Sequence, residues 1–312
     1  MRISVIIPTL NRPGDLTVAM ESLMRQTLLP EEILIVDQSD DDRTREAVRV
    51  IQAKVPAQAG IFKYFHRTEK STARARNFGT GNVAGDIVSY LDDDVELLPD
   101  YYEKIARYLT DNPSWGGVSG SLIQEDMLKG YKGALRRFLW KVFLLNNGDG
   151  CMTPSGFGYP IYDRPVKRLT RVELFHGCNM SFRRQALGDE RFDEWFVGYS
   201  YREDAEFSYR VSEKAQLWMV PDARLYHHES AKNRLDHERL KNMEIRNYYH
   251  VFRKHKYRGR LSAGLFLYSL SGILLMDLLE YLMGFKRSKF LKLRAGIRSA
   301  FAIMRDPQGY AK

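Results

Sequence analysis

Three adjacent aspartates, Asp92, Asp93 and Asp94, end the apolar run of the stretch "VSYLDDDVE". Neighbouring carboxylates repel, so such a cluster is tolerated where a cation neutralises it. Hard oxygen ligands point to Mg²⁺ or Mn²⁺. Along an extended chain the outer side chains of Asp-x-Asp project to one side. Asp92 and Asp94 can then share an ion while Asp93 faces elsewhere. A second triplet, Asp40–Asp42, serves as an internal control. It directly precedes a helical run, Arg43–Ile51, where carboxylates cap free N–H groups and complement the helix dipole. Asp92–Asp94 has no such role, because Val95–Pro99 intervenes and Pro99-Asp100 is the better helix start.

The elements that must position these residues are legible over the first hundred positions. Ile3–Pro8, Ile33–Asp37, Ile61–Phe65 and Ile87–Leu91 read as strands. Helical spacing separates them over Pro13–Gln26, from Asp41 or Asp42 to about Ala53, and over Thr72–Val83. Near-continuous apolar strands alternating with helices imply a buried, mostly parallel α/β sheet with helices on both faces. Ligands bind such sheets at the carboxyl ends of the strands. Pro8–Arg12, Asp37–Ser39 and Asp92–Asp94 are therefore the places to look. A P-loop is excluded, since the chain contains no Gly-Lys pair. Dinucleotide binding is disfavoured, because Gly79-Thr80-Gly81 falls late in a helix rather than at a strand–helix turn.

Beyond this part the pattern changes. Lys129–Lys141 is a basic amphipathic stretch, and Asn146–Pro160 is rich in Gly and Pro. The run Leu261–Met276 is uncharged for sixteen residues, with Asp277 and Glu280 following and basic residues on either side. A spanning helix wants about 20 apolar residues, so this one suits an interfacial or re-entrant helix better. A buried helix of the globular core is the alternative. The charge is divided: residues 1–128 carry 14 Lys and Arg against 20 Asp and Glu, and residues 129–312 carry 34 against 19. A basic tail can meet nucleic acid or anionic lipid; the apolar run between its basic clusters argues against nucleic acid. Only Cys151 and Cys178 are present, without a C-x-x-C, which fits a reducing compartment. The apolar run at the N-terminus is too short for a signal sequence.

Taken together these motifs resemble the family 2 glycosyltransferases of the GT-A fold, over roughly Arg2 to His228. "SVIIPTLNR" is similar to the opening strand and nucleotide loop, which puts Pro8, Thr9, Asn11 and Arg12 at the donor. "ILIVDQSDDD" resembles the second strand, whose Asp37 would contact a pyrimidine base; Gln38 departs from the more usual Asp or Asn. "STARARNFG" resembles the helix supplying Arg76 and Asn77 near the donor. "GDIVSYLDDDVEL" matches the DXD segment, with Asp93 assigned to the donor ribose or sugar. "HGCNMSFRR" is similar to the acceptor-side strand and turn around Gly177 and Asn179. "FVGYSYREDAEFSYRV" matches the ED motif that carries the base, and "WMVPDARLYHH" the closing strand whose histidine can complete a metal shell.

The resemblance implies an inverting transfer, in which a cation at Asp92 and Asp94 offsets charge on a departing diphosphate. Asp204 is the candidate base for the acceptor hydroxyl. An acidic pair opening a helix is a common structural feature, but the preceding FVGYSY and the spacing of some 110 residues from the triplet favour catalysis for Glu203-Asp204. Glu203 is expected to bind an acceptor hydroxyl. His227 is preferred to His228 as third metal ligand. Trp195 would stack on a sugar ring or pack in the core, and Arg183-Arg184 would hold phosphate or form a solvated turn. The expected organisation is a GT-A domain over 1–250, with a nucleotide-sugar half (1–128) and an acceptor half (129–250), followed by a membrane-associating helical tail (251–312). The expected partners are a UDP- or dTDP-type sugar donor, a polysaccharide or lipid-linked acceptor and the membrane surface. The expected place is the cytoplasmic face of the cell membrane. A nucleotidyltransferase would need a Gly-rich N-terminal loop that is missing here, and a non-catalytic binding module would show a degraded triplet or Asp204.

Overall fold

The first seven elements alternate strictly: β1 (Ile3–Thr9), α1 (Pro13–Met24), β2 (Glu32–Asp37), α2 (Arg43–Lys54), β3 (Phe62–His66), α3 (Thr72–Gly81) and β4 (Ile87–Leu91). They belong to a computed structural model that describes residues 1–230, 236–255 and 262–306. Then follow β5 (Val95–Leu97), α4 (Tyr101–Asp111), β6 (Trp115–Leu122), α5 (Gly130–Val142), β7 (Thr170–Val172), β8 (Asn179–Arg183), the single turn α6 (Arg184–Leu187), α7 (Glu203–Ser212) and β9 (Gln216–His227). Three helices complete the described chain: α8 (His237–His255), α9 (Ala263–Leu282) and α10 (Arg287–Arg305).

The strands form one nine-stranded sheet in the order β3-β2-β1-β4-β8-β6-β9-β5, with β7 paired to β9. β3, β2, β1 and β4 run parallel, as the alternating pattern requires. From β8 onward the sheet is mixed: β8 is antiparallel to both β4 and β6, while β6 and β9 pair in parallel. Side-chain alternation divides the core into two layers. Ile3, Val5, Ile7, Ile33 and Ile35 pack on one face, whereas Ile6, Leu34, Val36, Val88 and Tyr90 pack on the other. That double burial explains why these strands read as continuous apolar runs.

The register brings the strand ends together. Thr9 lies opposite Asp37, Leu91 opposite Asn179, and Val95 opposite His227. Segments distant in sequence therefore meet around Asp92–Asp94.

The chain divides into two compact units, Met1–Asp126 with Ile161–Lys232, and Met127–Pro160 with Asn233–Lys312. This differs from the expected boundary at residue 250. The segment 127–160 joins the C-terminal helices because its apolar residues find their core there. Leu145 and Phe157 cluster with Ile245, Tyr248 and Phe252 of α8, Phe266, Leu270 and Ile273 of α9, and Ala300 and Ile303 of α10. Contact at Gly272 is close enough that a Cβ there would lie 2.3 Å from the Phe143 ring. α9 is a 20-residue helix, and among the described residues it alone is long and apolar enough to cross a membrane. A third of its apolar window is buried inside the protein. The charge that interrupts its run is internal: Asp277 pairs with Lys241 at 3.0 Å and Lys292 at 2.9 Å. Of the basic stretch Arg253–Arg260, positions 256–260 lie outside the described residues, as does Leu261.

Candidate active site

A single guanidinium organises the strand ends. Arg76 projects from α3, whose start is set by Ser71 accepting a hydrogen bond from the Arg74 N–H at 3.4 Å. Only 1% of Arg76 is exposed. Its Nη1 donates to Glu203 Oε1 at 2.8 Å, and its Nη2 donates to Asp92 Oδ1 at 2.8 Å and the Gly177 carbonyl at 3.0 Å. A planar fork can serve several acceptors in fixed directions, which a lysine could not. Gly177 permits this approach. A Cβ there would lie 2.9 Å from Arg76 Nη2 and 3.3 Å from Asp204 Oδ2.

Asp204 opens α7 and remains half-buried. Its Oδ2 accepts from the Gly177 N–H at 2.7 Å and its Oδ1 from the Ala205 N–H at 2.7 Å. These two bonds fix the carboxylate, and each oxygen keeps a further lone pair. Its neighbour Glu203 is buried instead. Burial, reinforced by the charge of Asp204, pushes the Glu203 carboxyl well above its ordinary value against the pull of Arg76.

The triplet separates into three environments. Asp92 is half-exposed and rests on Arg76. Asp93 turns inward, accepting from Thr9 Oγ1 at 2.7 Å and Arg12 Nη1 at 3.1 Å. Burial raises its pKa to about 7 although Arg12 and Thr9 oppose the shift. Asp94 meets His227 Nε2 at 3.1 Å, the Ser230 N–H at 2.9 Å and Arg12 Nη1 at 3.4 Å. Burial works against its ionisation, and the His227 bond and charge outweigh burial to hold it near 2. His227 is correspondingly raised: its own burial is overcome by Asp94.

The ligand atoms of Asp92, Asp94 and His227 all lie within 4.8 Å of one another. Two carboxylates and an imidazole are a donor set that suits Mg²⁺ or Mn²⁺. His228, by contrast, is exposed and lies 3.3 Å from Glu96. His227, the last residue of β9, faces Asp94, whereas His228 lies beyond the strand beside Glu96.

The donor-side residues fall into two groups. Asn11, in the left-handed region at φ 56°, and Arg12 are half-buried. Pro8, Thr9 and Asp37 are buried. Asp37 accepts from the Ser39 N–H at 2.9 Å and the Tyr64 hydroxyl at 2.6 Å and has no exposed surface. Contact between Asp37 and a base requires the surrounding loop to shift. Asp40 does not cap α2 as expected. It accepts from Asn11 Nδ2 at 3.2 Å and pairs with Lys70 at 2.6 Å, tying the loops after β1 and β2 together. Asp41 alone of this triplet accepts a helix-start N–H, from Arg43 at 3.1 Å. Asp42 occupies the cap position without a capping bond and pairs with Arg45 at 3.0 Å.

The acceptor-side expectations need more revision. Asn179 is buried, and its Oδ1 accepts from the Ser119 hydroxyl at 2.5 Å and the Gly120 N–H at 2.9 Å, so it ties β8 to β6. Glu203 is spent on Arg76. Asn77 holds the backbone of Phe192 in both directions, at 2.9 and 2.7 Å, rather than facing a donor. Arg183 and Arg184 are neither a phosphate clamp nor a solvated turn: they donate to the carbonyls of Trp115 and Gly85 at 2.9 and 2.7 Å. Trp195 is half-buried, with its ring edge-to-face on Phe196. Of the predicted set, Asn11, Arg12, Asp92, Asp204, His227 and Trp195 keep surface for a ligand. Asp94 is buried with its ligand atom beside those of Asp92 and His227, and the other buried members hold these residues in place. Sequence reasoning missed His176, which is half-buried against His227 with ring centroids 5.6 Å apart and stacks on Tyr162 at 5.2 Å. Its only signal was its position beside Gly177 in "HGCNM".

The model of "Glycosyl transferase family 2" matches residues 4–189, more than half of the chain. The protein belongs to glycosyl transferase family 2. Over 200 residues it is 32% identical to the GalNAc(5)-diNAcBac-PP-undecaprenol beta-1,3-glucosyltransferase of Campylobacter jejuni, covering 63% of this chain and 56% of that one. It is 29% identical over 112 residues to an uncharacterized glycosyltransferase of Haemophilus influenzae, a match covering 36% of each chain. The chain thus spans about a third to just over half the length of these curated relatives. Among solved structures, a mannosyltransferase from Pyrobaculum calidifontis in complex with GDP-Man and Mn²⁺ superposes with a TM-score of 0.61. That likeness covers 98% of this chain and 88% of the other at 17% identity, and it establishes the GT-A fold of this family 2 member.

Proposed function

We propose that this family 2 member is an inverting, divalent-cation-dependent glycosyltransferase that moves a sugar from a UDP- or dTDP-type donor to a hydroxyl of a lipid-linked glycan. The observation that carries the reading is the junction at Gly177. Its carbonyl holds Arg76, which positions Asp92, and its N–H holds Asp204. One glycine therefore couples the donor-side carboxylate to the candidate base. Asp92, Asp94 and His227 would hold Mg²⁺ or Mn²⁺, which when bound offsets charge on the leaving diphosphate. Asp204, fixed by two N–H donors, takes the proton of the attacking hydroxyl. Arg76 and Glu203 keep that carboxylate and Asp92 in register. A single displacement with one base gives inversion. Asp204→Asn is expected to lower transfer by about 10²–10⁴-fold while nucleotide-sugar affinity stays near wild type. Retained transfer, or donor affinity lost in step with transfer, would refute the assignment.

The lipid-linked acceptor is supported by the name of the Campylobacter relative and by the composition of the second unit. That unit carries 22 Lys and Arg against 7 Asp and Glu, a balance of +15. On α5, Tyr131, Leu135, Phe138 and Val142 follow one another at helical spacing, and all four are exposed. At the turn after α9, Met283 and Phe285 are 76% and 72% exposed. Apolar stripes rimmed by Lys and Arg suit the interface of an anionic bilayer. The unit lies on the membrane surface, with α5 contributing beside the C-terminal helices. Truncation at residue 250 would strip α9 and α10 from Phe157 and Tyr248, so point changes are the cleaner test. Leu135→Glu with Phe138→Glu is expected to weaken co-sedimentation with anionic vesicles; unchanged binding would remove α5 from the surface.

A further inference from the structure

His227 stands between two sets of ligands. One is the carboxylate pair described above. The other is His176 and Cys178, whose ligand atoms lie within 4.8 Å of one another and of that of His227. We propose that His176, Cys178 and His227 form a second, thiophilic metal site, which takes a soft divalent ion such as Zn²⁺ and thereby withdraws His227 from Asp92 and Asp94.

The backbone prepares this set. His176 and Cys178 flank Gly177 in the turn that enters β8, which the Asn179 N–H closes on the His176 carbonyl at 3.3 Å, and the Cys178 N–H donates to His176 Nδ1 at 3.3 Å, holding the two side by side. His227 reaches them from the end of β9, its ring edge-on to His176. Zinc binds sulfur at about 2.3 Å and imidazole nitrogen at about 2.0 Å in a tetrahedron. The donor atoms would then stand about 3.3–3.5 Å apart, so rotation of these side chains by roughly an ångström closes the site. Asn179 already donates from Nδ2 to Cys178 Sγ at 3.3 Å. A donor of that kind supports a metal-bound thiolate from the second layer. Asn179 is itself fixed by Ser119 and Gly120, so the support is rigid.

Ligand preference separates the two sets. Thiolate and imidazole favour zinc, whereas Mg²⁺ and Mn²⁺ favour the carboxylates. On binding, Cys178 loses its thiol proton to solvent as the sulfur–metal bond forms, and both imidazoles bind neutral. At least one proton therefore leaves for each ion bound, and a second leaves where Asp94 holds His227 as imidazolium. Because His227 is a member of both sets, the two ions compete, and zinc acts as an inhibitor that donor sugar does not displace. The competition, though not the soft site itself, rests on the assignment of His227 to the hard-ion set.

The test is spectroscopic. Co²⁺ is titrated into the full chain without donor, and the sulfur-to-cobalt charge-transfer absorption is recorded; Zn²⁺ affinity is then measured by displacement. The wild-type protein is expected to show the band. Cys178→Ser is expected to lose it, and Zn²⁺ affinity is expected to fall by roughly tenfold or more in both Cys178→Ser and His176→Gln. Melting curves show whether each variant is folded. A wild-type protein without the band, or Zn²⁺ affinity unchanged in both folded variants, overturns the soft site. Mn²⁺ affinity that is indifferent to Asp92→Asn and Asp94→Asn would overturn the hard set, and with it the competition, while leaving the cobalt band to judge the soft site.

Discussion

Two of the buried ionic clusters among the described residues are balanced differently. In the helical unit, Lys241 pairs with Glu244 at 2.6 Å and Asp277 at 3.0 Å, and Lys292 pairs with Asp277 and Glu280 at 2.9 Å each. With Lys289 beside Glu280, three cations meet three anions. At the strand ends, Asp92, Asp93, Asp94, Glu203 and Asp204 gather, among the described residues, around Arg12, Arg76 and the imidazole of His227. A closed cluster is a fastening. An open one, carrying more carboxylates than described cations at a sheet edge, is what the proposed divalent cation would neutralise. The exposed triplet Asp40–Asp42 shows a third case, in which each aspartate finds a neighbouring Lys or Arg at the surface.

Substitutions should separate these cases. The largest effect belongs to the open cluster: Asp94→Ala is expected to lower transfer by about 10²–10³-fold, the loss of several kcal/mol of transition-state stabilisation. A chelator should do the same to the wild-type enzyme, with Mn²⁺ or Mg²⁺ restoring turnover. Next, Arg76→Met leaves Glu203 and Asp92 without their cation and should cost about 3–5 kcal/mol in denaturant unfolding. A smaller cost would mean that Arg76 orients the carboxylates without stabilising them.

The closed cluster should announce itself through pH. Burial opposes ionisation of Glu244, but Lys241, Lys292 and the Tyr159 hydroxyl outweigh it and hold the group below its ordinary value. A depressed folded-state value contributes stability above the unfolded pKa, about 4.3, and loses it as the pH falls through the folded one. Lys241 has the opposite sign. Its burial is overcome by Glu244 and Asp277, its pKa is raised, and its contribution disappears as the pH climbs through that raised value. In Glu244→Gln the loss of stability between neutral and acidic pH should be shallower than in wild type; identical slopes would place Glu244 outside the linkage. The smallest effects belong to the exposed triplet. Asp41→Ala should cost about 0.5–2 kcal/mol as a lost cap, and Asp42→Ala within about 0.5 kcal/mol, with transfer unchanged in both.

The parallel part of the sheet was legible because β1, β2 and β4 are buried on both faces and their strand–helix alternation is local. The mixed part was not, since pairing of β8 between β4 and β6 depends on contacts 63 to 96 residues apart. Motif order singled out Asp92, Asp94, His227 and Asp204, which the fold brings to one set of strand ends. Glu203, Asn179 and Asn77 looked equally ligand-like, because sequence does not reveal that a polar side chain is consumed by Arg76, Ser119 or the Phe192 backbone. The unit boundary was missed for a similar reason: Phe157 and Leu145 declare an apolar need but not which helices meet it.

In the proposed function, Asp92 and Asp94, with His227, hold one divalent cation, and Asp40–Asp42 hold none. Mn²⁺ titration followed by electron paramagnetic resonance, with UDP present, tests it most directly. One tightly bound Mn²⁺ per chain is expected in the wild-type protein and in Asp40→Ala and Asp41→Ala, and none in Asp92→Ala or Asp94→Ala. Tight Mn²⁺ persisting after loss of Asp92 and Asp94, or vanishing with Asp41, would contradict the account.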